Sequence, residues 1–206
     1  MTELLVATAN PGKFAEVQAS LQKLPVRVTS LGTLTNPPQV IEDDRSFEEN
    51  ALKKARTLAE YSGLLTLADD SGLEVDVLSG SPGIYSARYA GEEGNDERNN
   101  RKLLSKLEGV PEAQRTARFV CALALCAPKS HGMKDWVVRQ SCEGRIALGL
   151  AGSRGFGYDP LFFFPPFGKT FGEIEREVKA AVSHRGKALM KLAEILPTLV
   201  KVPAKP

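Results

Sequence analysis

The sequence has little of several residue types on which common functional sites depend. Its 206 residues include three cysteines, two histidines and one tryptophan. Cys121, Cys126 and Cys142 lack metal-ligand spacing and lie in or beside apolar segments, so we interpret them as reduced, buried thiols. No motif surrounds a serine, cysteine or histidine in a way that suggests a Ser-His-Asp or Cys-His arrangement.

An excess of one charge and a long apolar run are also absent. Lysine and arginine number 27 against 25 aspartates and glutamates, which gives no reason to expect a nucleic-acid-binding surface. The start of the chain carries Glu3 and only a short apolar run, which is neither a secretory signal nor a membrane span. We therefore expect a cytoplasmic protein with no membrane partner, built as a single domain over residues 1–206.

Local patterns predict a mixture of helices and strands. Apolar runs predict strands at 4–8, 26–28, 117–126 and 134–142, a short strand inside the loop 149–166, and two strands joined by an acidic turn within 64–78. Helical spacing and the caps Asn10, Ser46, Asp96 and Ser183 predict helices at 11–24, 47–61, 97–107 and 184–199. The mixture favours an α/β or α+β fold built on one central sheet.

The first strand-to-helix turn is a candidate phosphate-binding segment. It consists of Thr8, Ala9, Asn10, Pro11, Gly12 and Lys13. Backbone N–H groups and the helix dipole can face an anion there, and Lys13 adds a positive charge. A Walker A loop would need Gly at Ala7 and Ser or Thr at Phe14, so the ordinary P-loop is excluded. A plain structural turn is the alternative.

Acidic residues form a candidate metal site. Asp69 and Asp70 are adjacent near a strand end, so we expect their side chains to point to opposite faces and only one to enter a given site. Asp70 and Glu42 could hold Mg²⁺ through oxygen ligands. The alternative is that the two aspartates only cap the next segment. Lys54 lies on the second predicted helix, and from this position alone we expect a solvated lysine on the helix face.

A second candidate region combines aromatic and polar residues. Phe156, Gly157, Tyr158 and Asp159 offer two rings and a carboxylate, which suit a pocket that stacks on a base and bonds to it. The alternative is that both rings pack into the apolar cluster of residues 162–164. His184 and Arg185 begin the last helix, where a histidine is usually a surface or capping residue.

Taken together and in this order, the segments resemble the inosine triphosphate pyrophosphatase family, also called XTP/dITP diphosphatases. The similarity covers nearly the whole chain. It runs through residues 8–13, 46–51, 68–73, 82–89, 155–160 and 183–186. The resemblance implies a two-lobed α/β fold with a long central mixed sheet, a nucleotide cleft between the lobes, and a homodimer. The implied reaction converts ITP, dITP or XTP to the monophosphate and pyrophosphate.

The resemblance also implies roles for individual residues. Residues 8–13 would bind the triphosphate, Asp70 would be the proton acceptor and a metal ligand, and Glu42 would complete the Mg²⁺ site. Lys54 would be a cation near the phosphates and Ser71 a substrate contact. The base pocket would consist of Phe156, Gly157, Tyr158, Asp159, Lys179, His184 and Arg185. Family members often have Thr-Gly where Asp43 and Asp44 stand, so which acid of 42–44 binds the metal stays open.

Two other functions compete with this interpretation. A related pyrophosphatase of the Maf-like type would act on modified pyrimidines or ordinary nucleotides, but it would lack the Ser-His-Arg and Phe-Gly-Tyr-Asp segments found here. A nucleotide sensor would keep the pocket without the chemistry. The presence of Lys13, Glu42 and Asp70 argues against a sensor.

Overall fold

The computed structural model describes residues 2–91 and 94–199. Seven strands form one sheet in the order β2-β1-β3-β4-β5-β6-β7. The strands are β1 (Thr2–Ala7), β2 (Val26–Ser30), β3 (Leu65–Val75), β4 (Thr116–Cys126), β5 (Trp136–Ile146), β6 (Phe162–Phe164) and β7 (Lys169–Thr170). β1 is parallel to β2 and β3, whereas β6 is antiparallel to β5 and β7. The predicted mixed α/β fold is confirmed.

The chain divides into two compact units. The first contains the described residues up to Asp70, Ala122–Arg139 and those from Gly186 onward; the second contains Ser71–Cys121 and Gln140–Arg185. Five α-helices are described: α1 (Pro11–Leu21), α2 (Phe47–Ser62), α3 (Asp96–Lys106), α4 (Arg176–Val182) and α5 (His184–Leu199). No helix of the described residues is long and apolar enough to span a membrane.

Local signals explain the helices of the first unit. Asn10 caps α1, with Pro11 at its first position, where the missing N–H is not needed. Ser46 caps α2 by accepting from the Glu49 amide, and Gly63 ends it in the left-handed conformation. One face of α2 is buried through Phe47, Ala51, Ala55, Leu58 and Ala59. This spacing is that of an amphipathic helix, and the helix predicted at 47–61 is confirmed.

The second unit has its own apolar core. Its buried residues come from β3, α3, β4, β5 and the segment 158–174. Phe119, Phe162 and Phe171 form its aromatic centre, with ring centroids 4.5 to 6.1 Å apart. Cys142 lies in this core, and Cys121 and Cys126 are also buried as free thiols, which confirms their predicted state.

Two local predictions are wrong. Residues 69–72 do not form a turn, because β3 continues from Leu65 to Val75 with both aspartates buried inside it. Asp96 does not cap α3. Asn95 accepts from the Arg98 amide at 3.0 Å instead, and the Asp96 carboxylate accepts from the Gly157 amide at 2.6 Å. In both cases a distant partner stabilises a side chain that the sequence predicts to act locally.

Candidate active site

The first set of candidate residues lies where the parallel pairing of β1 with β3 ends. β1 and β3 pair up to Ala7 and Ala68, so Thr8 and Asp69 continue from neighbouring positions at the same edge of the sheet. Lys13 Nζ contacts Asp69 Oδ1 at 2.5 Å. Lys54 Nζ forms an ion pair with Glu42 and donates to the Asp69 carbonyl oxygen at 3.2 Å. We call Lys13, Glu42, Lys54, Asp69 and Asp70 the acidic set.

The two lysines of the acidic set are held by carboxylates. Only 14% of the Lys54 side chain is exposed, so the alternative of a solvated lysine is wrong. Lys13 is 17% exposed and its partner Asp69 is 3% exposed. Two lysines therefore face three carboxylates. The set has one more negative than positive charge when all five groups are ionised.

Asp70 is the least neutralised member of this set. Burial raises the pKa of Asp70 from 3.8 to about 6; Lys13 and Lys54 act to lower it, and Glu42 raises it further. The Asn50 amide also lowers this pKa, although its Nδ2 makes no hydrogen bond of ordinary geometry with any described residue. Asp70 Oδ2 is likewise buried without a hydrogen-bond partner among the described residues. A buried acceptor in this state is suited to receive a proton or a cation.

Glu42 differs from the two acids that follow it. Asp43 and Asp44 contact Lys53 at 2.5 and 3.7 Å, and the Lys53 hydrogen bond holds the pKa of Asp43 below its ordinary value. Glu42 is the member of this trio whose charge acts on Asp70. Among the described residues, no group of three or more His, Cys, Asp or Glu side chains could hold a metal ion. Any metal bound here must therefore take further ligands from a substrate or from water.

The turn at residues 8–13 has its amides occupied by its own cap. Asn10 Oδ1 accepts from the Gly12 and Lys13 amides at 2.8 and 3.1 Å, and the Phe14 amide donates to the Asn10 carbonyl. Gly12 and Lys13 can thus donate to a phosphate only when Asn10 rotates away. Thr8, Ala9, Asn10 and Pro11 also line a pocket of about 540 Å³.

A second set of residues surrounds Phe156 in the other unit. Lys179 Nζ lies 5.1 Å and Arg185 Cζ 5.5 Å from the centroid of the Phe156 ring. Lys179 contacts Asp159 Oδ2 at 2.5 Å, and Arg185 Nη2 donates to Ser71 Oγ at 2.7 Å. Lys179, Asp159 and Arg185 are each 5% exposed or less. We call Phe156, Asp159, Lys179, His184 and Arg185 the aromatic set.

The segment 155–159, named the base loop, turns around the Asp159 carboxylate. Asp159 Oδ2 accepts from the Phe156 amide at 2.9 Å. A Cβ at Gly155 would lie 1.9 Å from this oxygen, and its φ is +77°, so Gly155 needs to be glycine. The structure therefore brings together Phe156, Asp159 and Lys179, three of the residues that the resemblance assigns to a base pocket; their role stays a prediction.

Tyr158 and His184 are core residues of this unit. Tyr158 is 4% exposed and its hydroxyl donates to the Ser86 carbonyl at 2.9 Å; burial raises the pKa of this phenol. The alternative interpretation places both rings in the apolar cluster of residues 162–164. Tyr158 does pack into this cluster, whereas Phe156 does not belong to it. His184 stacks on Phe119 with centroids 4.7 Å apart and is 4% exposed, so it is not a surface residue.

Sequence reasoning missed several residues that hold these sets. Asp69 forms an ion pair with Lys13, and the Asn50 amide lowers the pKa of Asp70. Asn100 donates to the Gly157 carbonyl at 2.9 Å. Buried asparagines within helical patterns, at positions that otherwise favour apolar residues, are the signal that could have indicated Asn50 and Asn100.

The chain belongs to the Ham1 family, whose sequence model matches residues 4–195. It is 52% identical over 196 residues to a dITP/XTP pyrophosphatase of Geobacter sulfurreducens, covering 95% of this chain and 97% of that protein. A dITP/XTP pyrophosphatase of Desulforamulus reducens is 50% identical, with 94% and 95% covered. A HAM1 protein structure from Coxiella burnetii superposes with a TM-score of 0.87 at 37% identity, covering 96% of this chain and all of that one. The resemblance stated from the motifs is confirmed.

Proposed function

We propose that this protein hydrolyses the triphosphates of deaminated purine nucleosides, such as dITP, XTP and ITP, to the monophosphate and pyrophosphate. The observation that carries the proposal is Asp70, a buried carboxylate with a raised pKa and an oxygen without a hydrogen-bond partner among the described residues, beside two lysines. The curated relatives at about 50% identity are named dITP/XTP pyrophosphatases, which supports this substrate class.

The acidic set supplies what hydrolysis of a phosphoanhydride needs. Water attacks the phosphorus nearest the sugar, the bond from this phosphorus to the bridging oxygen breaks, and pyrophosphate leaves. Asp70 takes the proton that the attacking water loses. A pKa of about 6, which holds for the protein without a bound cation, leaves this carboxylate ionised at neutral pH and therefore able to accept the proton. Lys13 and Lys54 face the negative charge that develops on the phosphate oxygens.

Mg²⁺ is the cofactor that fits this set best. Glu42 and Asp70 would hold it through carboxylate oxygens, the ligands this ion prefers, and within the described residues no hydrogen bond to Asp70 Oδ2 would compete with the ion. A set with an excess of negative charge repels a free triphosphate, so a bound cation also makes phosphate binding favourable. When bound, the ion would neutralise phosphate oxygens and polarise the phosphorus under attack.

The aromatic set supplies recognition of the base. Phe156 is half-buried and can stack on a purine, while Lys179 and Arg185 are hydrogen-bond donors beside its ring. Hypoxanthine and xanthine carry a carbonyl oxygen at C6 that accepts from such donors. Adenine carries an amino group there, which would leave a buried donor unpaired at a cost of about 1–3 kcal/mol. The donors thus favour ITP and XTP over ATP.

A panel assay tests this function. Pyrophosphate release would be measured from ITP, XTP, dITP, GTP and ATP, each with and without Mg²⁺, using Asp70→Asn as the inactive reference. We expect release from the deaminated nucleotides, dependence on Mg²⁺, and a poor rate with ATP. Equal rates with all five nucleotides would refute the substrate class, and release of orthophosphate alone would refute the reaction.

A homodimer, which the family resemblance implies, completes the proposal, and we also propose a cytoplasmic location. Exposed apolar side chains, among them Leu148 and Leu150 at 64% and 60% exposure, could be covered by a second copy. Sedimentation equilibrium measures the mass in solution directly. A mass of one chain at micromolar concentration would refute the dimer.

A further inference from the structure

Helix α3 holds the base loop at one residue. Asp96 Oδ2 accepts from the Gly157 amide at 2.6 Å, and Asn100 Nδ2 donates to the Gly157 carbonyl oxygen at 2.9 Å. Asp96 and Asn100 are four positions apart, so they lie on the same face of the helix. Both the amide and the carbonyl of Gly157 are therefore bound by side chains of one rigid element.

Gly157 depends on these bonds for its position. A Cβ built on Gly157 would meet no atom within 4 Å, so no neighbouring atom packs closely against this side of the residue. Its φ of +62° is a conformation that glycine adopts without strain but that does not by itself fix the chain. Close packing does not fix the position of Gly157, and the hydrogen bonds from α3 do.

Asn100 is poorly suited to a purely structural role. It is 5% exposed, and its Oδ1 is buried without a hydrogen-bond partner among the residues described. A buried acceptor in that state costs free energy, which an apolar side chain like the nearby Leu103 would not incur. The bond to Gly157 is the contribution that offsets this cost.

We propose that Asp96 and Asn100 are positioning residues for the nucleotide base. By fixing the peptide groups of Gly157, they set where the preceding Phe156 ring lies and thus how well a purine stacks on it. The inference rests on the proposed function, because it assumes that the base loop binds the base. Loss of either side chain should weaken substrate binding and leave the chemical step, which belongs to the acidic set, unchanged.

The same helix offers a matched control for each position. Asn99 is 2% exposed and also bonds to backbone, accepting from the Ala90 amide and donating to the Ala87 carbonyl, but neither bond reaches the base loop. Glu97 neighbours Asp96, carries the same charge, and its exposed side chain pairs with Arg101. Replacing a control residue removes comparable bonds or charge from α3 without releasing Gly157.

The experiment measures kcat and KM for ITP in Asn100→Ala and Asp96→Ala, beside Asn99→Ala and Glu97→Ala. We expect KM to rise about 3–5-fold in the first two, which is no more than loss of the Phe156 ring itself should cause, and to stay within about 2-fold in the controls, with kcat within about 2-fold in all four. The series is then repeated in a Phe156→Ala background. If the two residues act through Phe156, their effect on KM should disappear there.

Several outcomes would overturn the inference. A KM rise of equal size in Asn99→Ala and Asn100→Ala would show a general effect of weakening α3. Full additivity with Phe156→Ala would show that the residues do not act through the ring. Thermal unfolding identifies a variant that fails to fold. If Asn100→Ala fails to fold, the kinetics of Asp96→Ala test the inference, since Asp96 is exposed and its replacement leaves the core intact. A wild-type protein that cleaves no purine triphosphate refutes the proposed function itself, whereas an active one with unchanged KM in both variants refutes only this inference.

Discussion

The acidic set and the aromatic set both pair lysines with carboxylates, but the pairs surround different groups. In the acidic set Lys13 and Lys54 are paired with carboxylates, and Asp70 keeps a buried oxygen without a partner in the described chain. In the aromatic set the buried Lys179 is paired with Asp159 against the Phe156 ring. In the function we propose, the first arrangement keeps a carboxylate available to accept a proton, and the second holds hydrogen-bond donors in fixed positions beside the base. Rate and selectivity should therefore respond to different substitutions.

The largest effect should come from Asp70. Asp70→Asn keeps the size of the side chain but cannot accept the proton, so kcat should fall by about 10²–10⁴, the usual scale for a general base. The ratio of ITP to ATP cleavage should not change, because the aromatic set is intact. Steady-state rates with both nucleotides at saturating Mg²⁺ measure this.

Asp43→Asn is the matched control for this experiment. It removes a carboxylate one residue from Glu42, but Asp43 is exposed and pairs with Lys53. Its kcat should stay within about 2-fold of the wild type. Near-normal turnover in a folded Asp70→Asn protein would remove Asp70 from the mechanism.

The same carboxylate predicts a pH dependence of stability in the metal-free protein. The pKa of Asp70 in the folded protein is raised from 3.8 to about 6, so the folded state binds a proton more tightly than the unfolded state. Stability from this group is fully present below pH 3.8 and is lost as the pH rises through about 6. A shift of this size corresponds to at most about 3 kcal/mol.

Urea unfolding of the wild type and of Asp70→Asn across pH 4 to 8 isolates this contribution. Other carboxylates titrate in both proteins, so their effects cancel in the difference between the two free energies of unfolding. Asp70→Asn should be the more stable protein at pH 8, and its advantage should shrink toward pH 4. A difference that does not vary with pH would mean that Asp70 does not titrate in this range.

A smaller effect, confined to selectivity, should follow changes in the aromatic set. Arg185→Ala or Lys179→Met removes a donor to the C6 oxygen, so kcat/KM for ITP should fall about 10–100-fold more than for ATP. Both nucleotides are measured on the same variant, which cancels any loss of folded protein. This matters most for Lys179→Met, since it removes the cation that contacts the buried Asp159 Oδ2. Equal losses for ITP and ATP would assign these cations to the phosphates or to the fold.

How far the sequence predicts this molecule depends on whether a feature is local. The turn from β1 into α1 and the start of α2 were predicted because Asn10, Pro11 and Ser46 act within three residues. The continuity of β3 through Asp69 was not, because it requires Lys13 from another element to neutralise the buried acid. Helix α4, which carries Lys179, has seven residues and lacks a side-chain cap, so no local pattern predicts a helix there.

The site follows the same rule. The motifs indicate the residue types at each position, and in the structure the charges of Lys13 and Lys54 both act on Asp70. The supporting contacts were beyond prediction, since Asn100 and Gly157 are 57 positions apart and no pattern links them. Long-range hydrogen bonds leave no periodicity in a sequence, so only the fold reveals which side chains support the base loop.

The smallest effect should be that of Phe156→Ala. This variant tests whether the aromatic ring contributes affinity for the base without contributing selectivity. A phenyl ring stacks on any purine, so its loss should weaken ITP and GTP alike, by about 2–10-fold in kcat/KM, or ~0.5–1.5 kcal/mol. The ITP-to-GTP ratio should stay within about 2-fold, because both bases carry the C6 oxygen that the donors contact. Parallel kinetics with the two nucleotides measure this ratio. A ratio that changes about 10-fold would show that Phe156 shapes the pocket around the 2-position of the base, where guanine and hypoxanthine differ, and that affinity and selectivity are not separate properties of the aromatic set.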